Sequence, residues 1–145
     1  MQLKKFVSNS EAETIKIAKE ILRICKRNCI QLLLLSGNLG SGKTVFVRGL
    51  AKALKIKRPV KSPSFVLIQE YPCRSKTLIH CDLYRLNKIS DLENLGLSEY
   101  LDNPSNLVTI EWAERLAKNW KKSYPAITVK FKTGSTKNRR VLSVS

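Results

Sequence analysis

The sequence predicts an α/β fold: a mostly parallel sheet with helices on both faces and antiparallel hairpin additions. Three observations carry that prediction. The apolar run Ile30 to Leu35 is strand-sized and does not alternate, as expected of a strand buried on both faces. It leads into Gly37-Asn38-Leu39-Gly40-Ser41-Gly42-Lys43-Thr44 and then a helical stretch. Strand, glycine turn and helix is the context in which G-x-x-x-x-G-K-[ST] acts as a phosphate-binding loop. Strands and helices alternate early and give way to hairpins later, which makes the fold P-loop NTPase-like with antiparallel additions.

Taken in order, Phe6-Val7 ends a short opening strand. Ser10-Glu11-Ala12-Glu13 has the capping-box form, Ser10 as N-cap and Glu13 reaching back. Ile15, Ala18, Ile21 (or Leu22) and Cys25 then recur at helical spacing, and that helix ends near Arg27-Asn28. The helix after the glycine loop runs from about Lys43 to Leu54 and stops before Arg58-Pro59. Lys61 to Phe65 is a polar loop; Val66 to Tyr71 and Thr77 to Cys81 form a hairpin. Asp91 to Leu95 and Ser98 to Leu101 are short helical pieces around Gly96. Leu107 to Ile110 is another apolar strand, and a helix of about eight residues is expected from Ala113. Ala126 to Lys132 and Val141 to Val144 close the chain as a hairpin.

At 145 residues, 43% hydrophobic and 26% charged, residues 1–145 read as a single domain of ordinary globular composition. No apolar run approaches membrane-spanning length, and the N-terminus carries a basic pair with no apolar segment behind it, so a cytoplasmic location with no membrane partner is expected. Cys25, Cys29, Cys73 and Cys81 lack the spacing of a metal site and are expected as free thiols. The balance of 27 Lys+Arg against 11 Asp+Glu, a formal net charge of +16, favours polyanionic partners such as RNA. A lysine-rich composition decorating solvated faces explains the same count. The asymmetry is sharpest after Glu114, beyond which no acid occurs.

The chemistry is expected at strand ends, where open α/β sheets hold their ligands. Glycines in the loop let successive N–H groups converge on one anion, and the helix N-terminus adds its partial positive charge. Lys43 reaches the β- and γ-phosphates and the Thr44 hydroxyl faces Mg²⁺. Asp82, closing an apolar strand, is the second Mg²⁺ anchor. Glu111 closes another strand and orients or deprotonates the attacking water, or caps the next helix. Ser62-Pro63-Ser64 lies where a γ-phosphate-sensing loop sits, or is a plain proline turn. Lys61 and Arg85 are available as charge-stabilising groups. Trp112 covers a base or a partner surface, or is a core indole. His80 is expected as a packed histidine. A guanine-specifying N-K-x-D is missed by one position in Asn87-Lys88-Ile89-Ser90-Asp91, so adenine is favoured by default.

The phosphate loop, Arg48-Gly49, Lys61-Ser62-Pro63-Ser64-Phe65, His80-Cys81-Asp82-Leu83-Tyr84-Arg85-Leu86 and Ile110-Glu111-Trp112, in that order, resemble the bacterial TsaE (YjeE) family. The resemblance covers the chain from the N-terminal helix to Trp112. It implies an ATPase with ATP and Mg²⁺ as its ligands, slow alone, required for threonylcarbamoyladenosine modification at position 37 of tRNAs reading ANN codons. It implies the TsaB–TsaD heterodimer as partner, which performs the transfer itself. By motif match, Asn38, Leu39, Gly40, Ser41, Gly42, Lys43, Thr44, Val45 and Trp112 hold the nucleotide. Thr44, Asp82 and Glu111 serve the metal, Lys43, Glu111 and Asp82 serve hydrolysis, and Ser62 and Ser64 form the switch loop. Two departures stand out: Asn38 replaces the family's usual acid, and Ser64 replaces its threonine. The basic C-terminal segment matches no motif; tRNA is expected as a partner indirectly or through that segment, charge alone names no partner, and whether the segment meets tRNA or another protein stays open.

Two other readings remain at this stage. A small-molecule kinase for nucleosides or sugars would use the Asp82-Arg85 block to hold an acceptor, although no arginine-rich lid is present. A basic RNA-binding module with a regulatory phosphate loop would bind tRNA tightly by itself.

Overall fold

The computed structural model describes residues 3–63, 65–86, 95–116 and 123–145. The chain opens with β1 (Lys4–Ser8), α1 (Glu11–Arg27), β2 (Leu32–Ser36) and α2 (Lys43–Ala53). It continues with β3 (Ile68–Pro72), β4 (Thr77–Asp82), α3 (Leu97–Asp102), β5 (Asn106–Glu111), β6 (Ala126–Thr133) and β7 (Arg140–Val144). The strands form one seven-stranded sheet in the order β1-β7-β6-β2-β5-β4-β3. Its centre is parallel, with β2 flanked by β5 and β6 and β4 beyond β5. Both margins are antiparallel, from the β3–β4 hairpin and from β1 and β7 beside β6. This is the predicted class, a parallel core with antiparallel additions.

Residue parity decides which face each side chain takes. Leu33 and Leu35 of β2, Leu78 of β4 and Leu107 of β5 turn toward α1 and α2, whose Ile17, Ile21, Phe46 and Leu50 complete that core. Leu32 and Leu34, Ile79 and Cys81, and Val108 and Ile110 pack on the opposite face with Leu97 and Leu101 of α3. β2 is buried along Leu32 to Leu35, as its unbroken apolar run requires.

α1 begins as its sequence promises. Glu13 N–H donates to Ser10 Oγ at 3.1 Å, and Glu13 Oε2 accepts from the Asn9 N–H at 2.7 Å, one residue further back than the standard box. Ile15 is only half-buried, and Thr14 and Ile17 join Ala18, Ile21, Leu22 and Cys25 on the inner face. Thr14 is satisfied there by Ser8 Oγ at 2.8 Å.

Three boundaries differ from the sequence expectation, each for a backbone reason. β2 starts at Leu32 because Cys29 takes a left-handed turn (φ 53°) while Ile30 N–H closes back on Cys25 O. β3 starts at Ile68 because Leu67 is left-handed (φ 65°). Where a helix is expected to start at Ala113, the described residues form a 3₁₀ turn, Ala113–Arg115, followed by the extended backbone of Leu116, and the rest of that stretch lies outside the described residues. Most of the helical piece expected over Asp91 to Leu95 lies outside the described residues.

Gly49 is where α1 and α2 touch. A Cβ placed there would stand 2.7 Å from Ala18 Cβ and 3.0 Å from Ile15 Cα. Gly49→Ala is therefore expected to lower stability by about 1–3 kcal/mol in urea unfolding, although alanine is the better helix former by ~1 kcal/mol. Ser10→Ala removes the N-cap acceptor and should cost about 1 kcal/mol in the same measurement.

Candidate active site

The ends of β2, β4 and β5 converge under the N-terminus of α2. Leu35 pairs with Glu111, and Asp82 pairs with Glu111, so the two acids leave neighbouring strands at one level. Parity turns His80, Asp82, Thr109 and Glu111 to the α2 side of the sheet, since Leu78 and Leu107 of the same parities face that core. The loop between β2 and α2 bends with Gly37, Gly40 and Gly42 all at positive φ. At Gly37 (φ 141°) a Cβ would also stand 2.6 Å from Phe131 O, so the loop rests directly on β6.

The resulting cavity, about 500 Å³, is lined by Lys43, Thr44, Ser62, Asp82, Glu111 and Trp112 among others. Leu39, Gly40, Ser41, Gly42 and Val45 of the loop also border it. Asn38 contributes its backbone carbonyl, which accepts from Lys43 Nζ at 3.0 Å and from Ser41 N–H at 3.1 Å.

Two hydroxyl–carboxylate pairs organise the interior. Thr44 Oγ1 donates to Glu111, 3.0 Å and 3.3 Å from its two oxygens. Ser62 Oγ donates to Asp82 Oδ2 at 2.8 Å, and the Tyr84 N–H donates to Asp82 Oδ1 at 2.9 Å. His80 Nε2 lies 2.8 Å from Glu111 Oε1. Donation to a carboxylate puts the imidazole proton on Nε2, and His80 Nδ1 is then buried with no hydrogen-bond partner among the described residues, as is Thr109 Oγ1.

Lys43 is only 4% exposed. Its Nζ is 2.6 Å from Gly37 O and stands 4.2 Å from the Trp112 ring centre. Burial holds its pKa below the ordinary lysine value, against the opposing pull of Glu111, Glu114 and Asp82. Trp112 follows Glu111 with a left-handed backbone (φ 58°), a strained conformation for a bulky residue and one that clusters at functional sites. Its ring packs on Tyr84 at 5.0 Å.

These residues suit a hard divalent cation beside a phosphate chain. The Thr44 proton points at Glu111, leaving the hydroxyl lone pairs for a cation, and Asp82 supplies a carboxylate across the cavity. No cluster of three His, Cys, Asp or Glu that could hold a metal occurs among the described residues.

The structure thus brings together Lys43, Thr44, Ser62, Asp82, Glu111 and Trp112; Ser64 lies outside the described residues. Lys61 does not line that cavity, and its backbone N–H donates to Tyr71 Oη. His80 is packed as expected, but sequence reasoning missed its contact with Glu111 and gave Arg140 no place. His80 had a signal in its i, i+2 relation to Asp82. Arg140 Nη2 reaches Gly40 O at 3.1 Å across the sheet, which local pattern does not reveal.

Comparison with known proteins matches residues 8–141 to the family model described as threonylcarbamoyl adenosine biosynthesis protein TsaE. This chain belongs to the TsaE family. The TsaE match takes in every candidate site residue. The Aquifex aeolicus tRNA threonylcarbamoyladenosine biosynthesis protein TsaE is 41% identical over 115 residues, 78% of this chain and 79% of that protein. The Rickettsia conorii protein of the same name is 41% identical over 107 residues, 73% of this chain but 59% of its own length. The crystal structure of Bacillus subtilis YdiB resembles this fold with a TM-score of 0.73 at 27% identity, covering 99% of this chain and 84% of that one.

Because His80 satisfies a buried Glu111 carboxylate, His80→Phe should cost roughly 1–3 kcal/mol in urea unfolding, with His80→Gln recovering part of the loss. Equal stabilities for the two variants would show that the hydrogen bond contributes nothing.

Proposed function

We propose that this chain binds ATP with Mg²⁺ at the phosphate loop and hydrolyses it to ADP and phosphate, in the service of tRNA threonylcarbamoyladenosine biosynthesis. Membership of TsaE, whose relatives are named for that pathway, supports the second half. The observation that carries the first half is the convergence of Thr44–Glu111 and Ser62–Asp82 with Lys43 in one cavity. The modification is placed at position 37 of tRNAs reading ANN codons, and the partner is the TsaB–TsaD heterodimer, which performs the transfer; both rest on the family resemblance.

Bound Mg²⁺ neutralises charge on the phosphates. Lys43 adds a positive charge at the loop, and the N–H groups of the loop and of the first turn of α2 donate to the phosphate oxygens. Thr44 and Asp82 are the metal-facing oxygens, with Asp82 fixed by Ser62 and Tyr84 N–H. Glu111, held between Thr44 and His80, orients the attacking water or takes its proton. Trp112 stands over Lys43 at the cavity wall and is placed to pack against the nucleotide. Ser62 ties the loop that follows α2 to Asp82, so a change at the phosphates is felt in that loop.

The test is Mg²⁺-dependent ATP hydrolysis by the purified protein, alone and with TsaB–TsaD. Lys43→Ala and Asp82→Ala should each lower kcat by roughly 10²–10³. Glu111→Gln should still bind ATP while losing turnover by about 10²–10⁴. Normal turnover in Asp82→Ala sinks the site assignment. Phosphorylation of a nucleoside or sugar in place of phosphate release would replace the ATPase with a kinase.

A further inference from the structure

A cavity of about 880 Å³, larger than the phosphate-loop site, lies elsewhere on the molecule. It lies where α2 ends and the β3–β4 turn begins. Lys26, Lys55, Lys57, Arg58 and Arg74 line it, and no acid does. All five are exposed, and none makes an ion pair among the described residues. Complementing the carbonyl ends of α1 and α2 calls for about half a charge at each helix, far less than five cations supply. The surplus has to be balanced by something negative.

The cleft also leads somewhere. It shares Arg58 and Tyr71 with a second cavity of about 420 Å³, and that one shares Ser62 and Phe65 with the phosphate-loop cavity. These shared walls set the three cavities side by side, as a trough from the far end of α2 to the mouth of the active site. At that mouth stands Phe65, 83% exposed, with the Arg85 guanidinium 4.2 Å from its ring centre. Cations along a groove with an exposed aromatic ring at one end match the pattern that binds single-stranded nucleic acid, phosphates on the cations and a base on the ring.

We propose that this trough binds the phosphodiester backbone of single-stranded RNA, with Phe65 as the stacking surface. The C-terminal hairpin fits less well, although its sequence is equally basic. Lys130 and Lys132 stand exposed on one face of β6, and Arg140 is engaged by the carbonyls of Lys137, Arg139 and Gly40. The proposal does not depend on ATP hydrolysis, and either can fail alone.

Cys73 lines the cleft and reports on it. Burial alone would raise its thiol pKa, but hydrogen bonds at Ser75 and Lys76 and the Lys26 charge outweigh burial and hold it below the ordinary value. It is the thiol that reports on the cleft, and exposed Cys29, which lines a separate cavity sharing only Lys26 with the cleft, is the comparison thiol.

The experiment uses the full chain and a labelled oligouridylate of about 12 nucleotides. At low salt the RNA should protect Cys73 from alkylation at least threefold more than Cys29. The combined Lys26→Gln, Lys57→Gln and Arg74→Gln variant, with an unchanged melting temperature, should bind more weakly and lose about 2 from the slope of log affinity against log salt, ~0.7 per phosphate contact. Phe65→Ala should weaken binding on the order of tenfold with the slope intact. Equal protection of the two thiols overturns the proposal. So does loss of binding in Lys130→Gln/Lys132→Gln but not in the cleft variant, which would assign the RNA to the hairpin. Tighter binding and stronger Cys73 protection by polyglutamate than by RNA would make the cleft a site for an acidic protein segment instead.

Discussion

Parallel pairing of β5 with β2 on one side and β4 on the other is the constraint on which the site depends. It brings Leu35, Asp82 and Glu111 to the same level and ends three strands together. Because side chains alternate, one register also sends His80, Asp82 and Glu111 to a single face. A slip of one residue would turn all three acids and bases into the α3 core, where no partner waits for them. The loop and α2 then have only one place to go. Phe46, Val47 and Leu50 must cover the face that Leu33 and Leu35 present, and this carries Lys43 and Thr44 over the carboxylates.

Placing charged groups there is costly unless each is partnered. Lys43, His80, Asp82 and Glu111 are all nearly inaccessible. Each is met by a designed contact: loop carbonyls and an indole for the lysine, hydroxyls and N–H groups for the acids. The arrangement works as a unit, because a hydroxyl that donates to one acid is also the oxygen facing the cavity. Structural and chemical demands on Thr44 and Ser62 are therefore the same demand.

Much of this was legible in the sequence because it is local. The glycine loop, the capping box at Ser10 and the buried run of β2 announce themselves within a few residues. Strand-end reasoning found Asp82 and Glu111, since an acid closing an apolar strand is a visible break in pattern. Illegible were features that depend on distant partners or on single backbone angles. Nothing near His80 says that Glu111 will lie beside it, and nothing near Arg140 says that Gly40 will accept from it. The left-handed turns at Cys29, Leu67 and Trp112 shift boundaries at non-glycine residues, against residue preference. The start of the helix expected at Ala113 is displaced in the same way, by an extended Leu116 that packs into the α3 core.

The pairing of β1 with β7, Lys4 beside Val144, gives the chain a timetable. The strands β2, β4 and β5, with α2, are complete by residue 111, and their contacts close loops of moderate length. The shelf beneath the glycine loop, Phe131 with the Arg140 clamp, comes from strands made afterwards, and β1 waits edge-open until β7 exists to receive it. Such long-range closure is slow, and an unpaired edge strand is exposed to association with other chains while it waits. In chain order, the phosphate loop thus takes its support from the last two strands, which follow the carboxylates it faces.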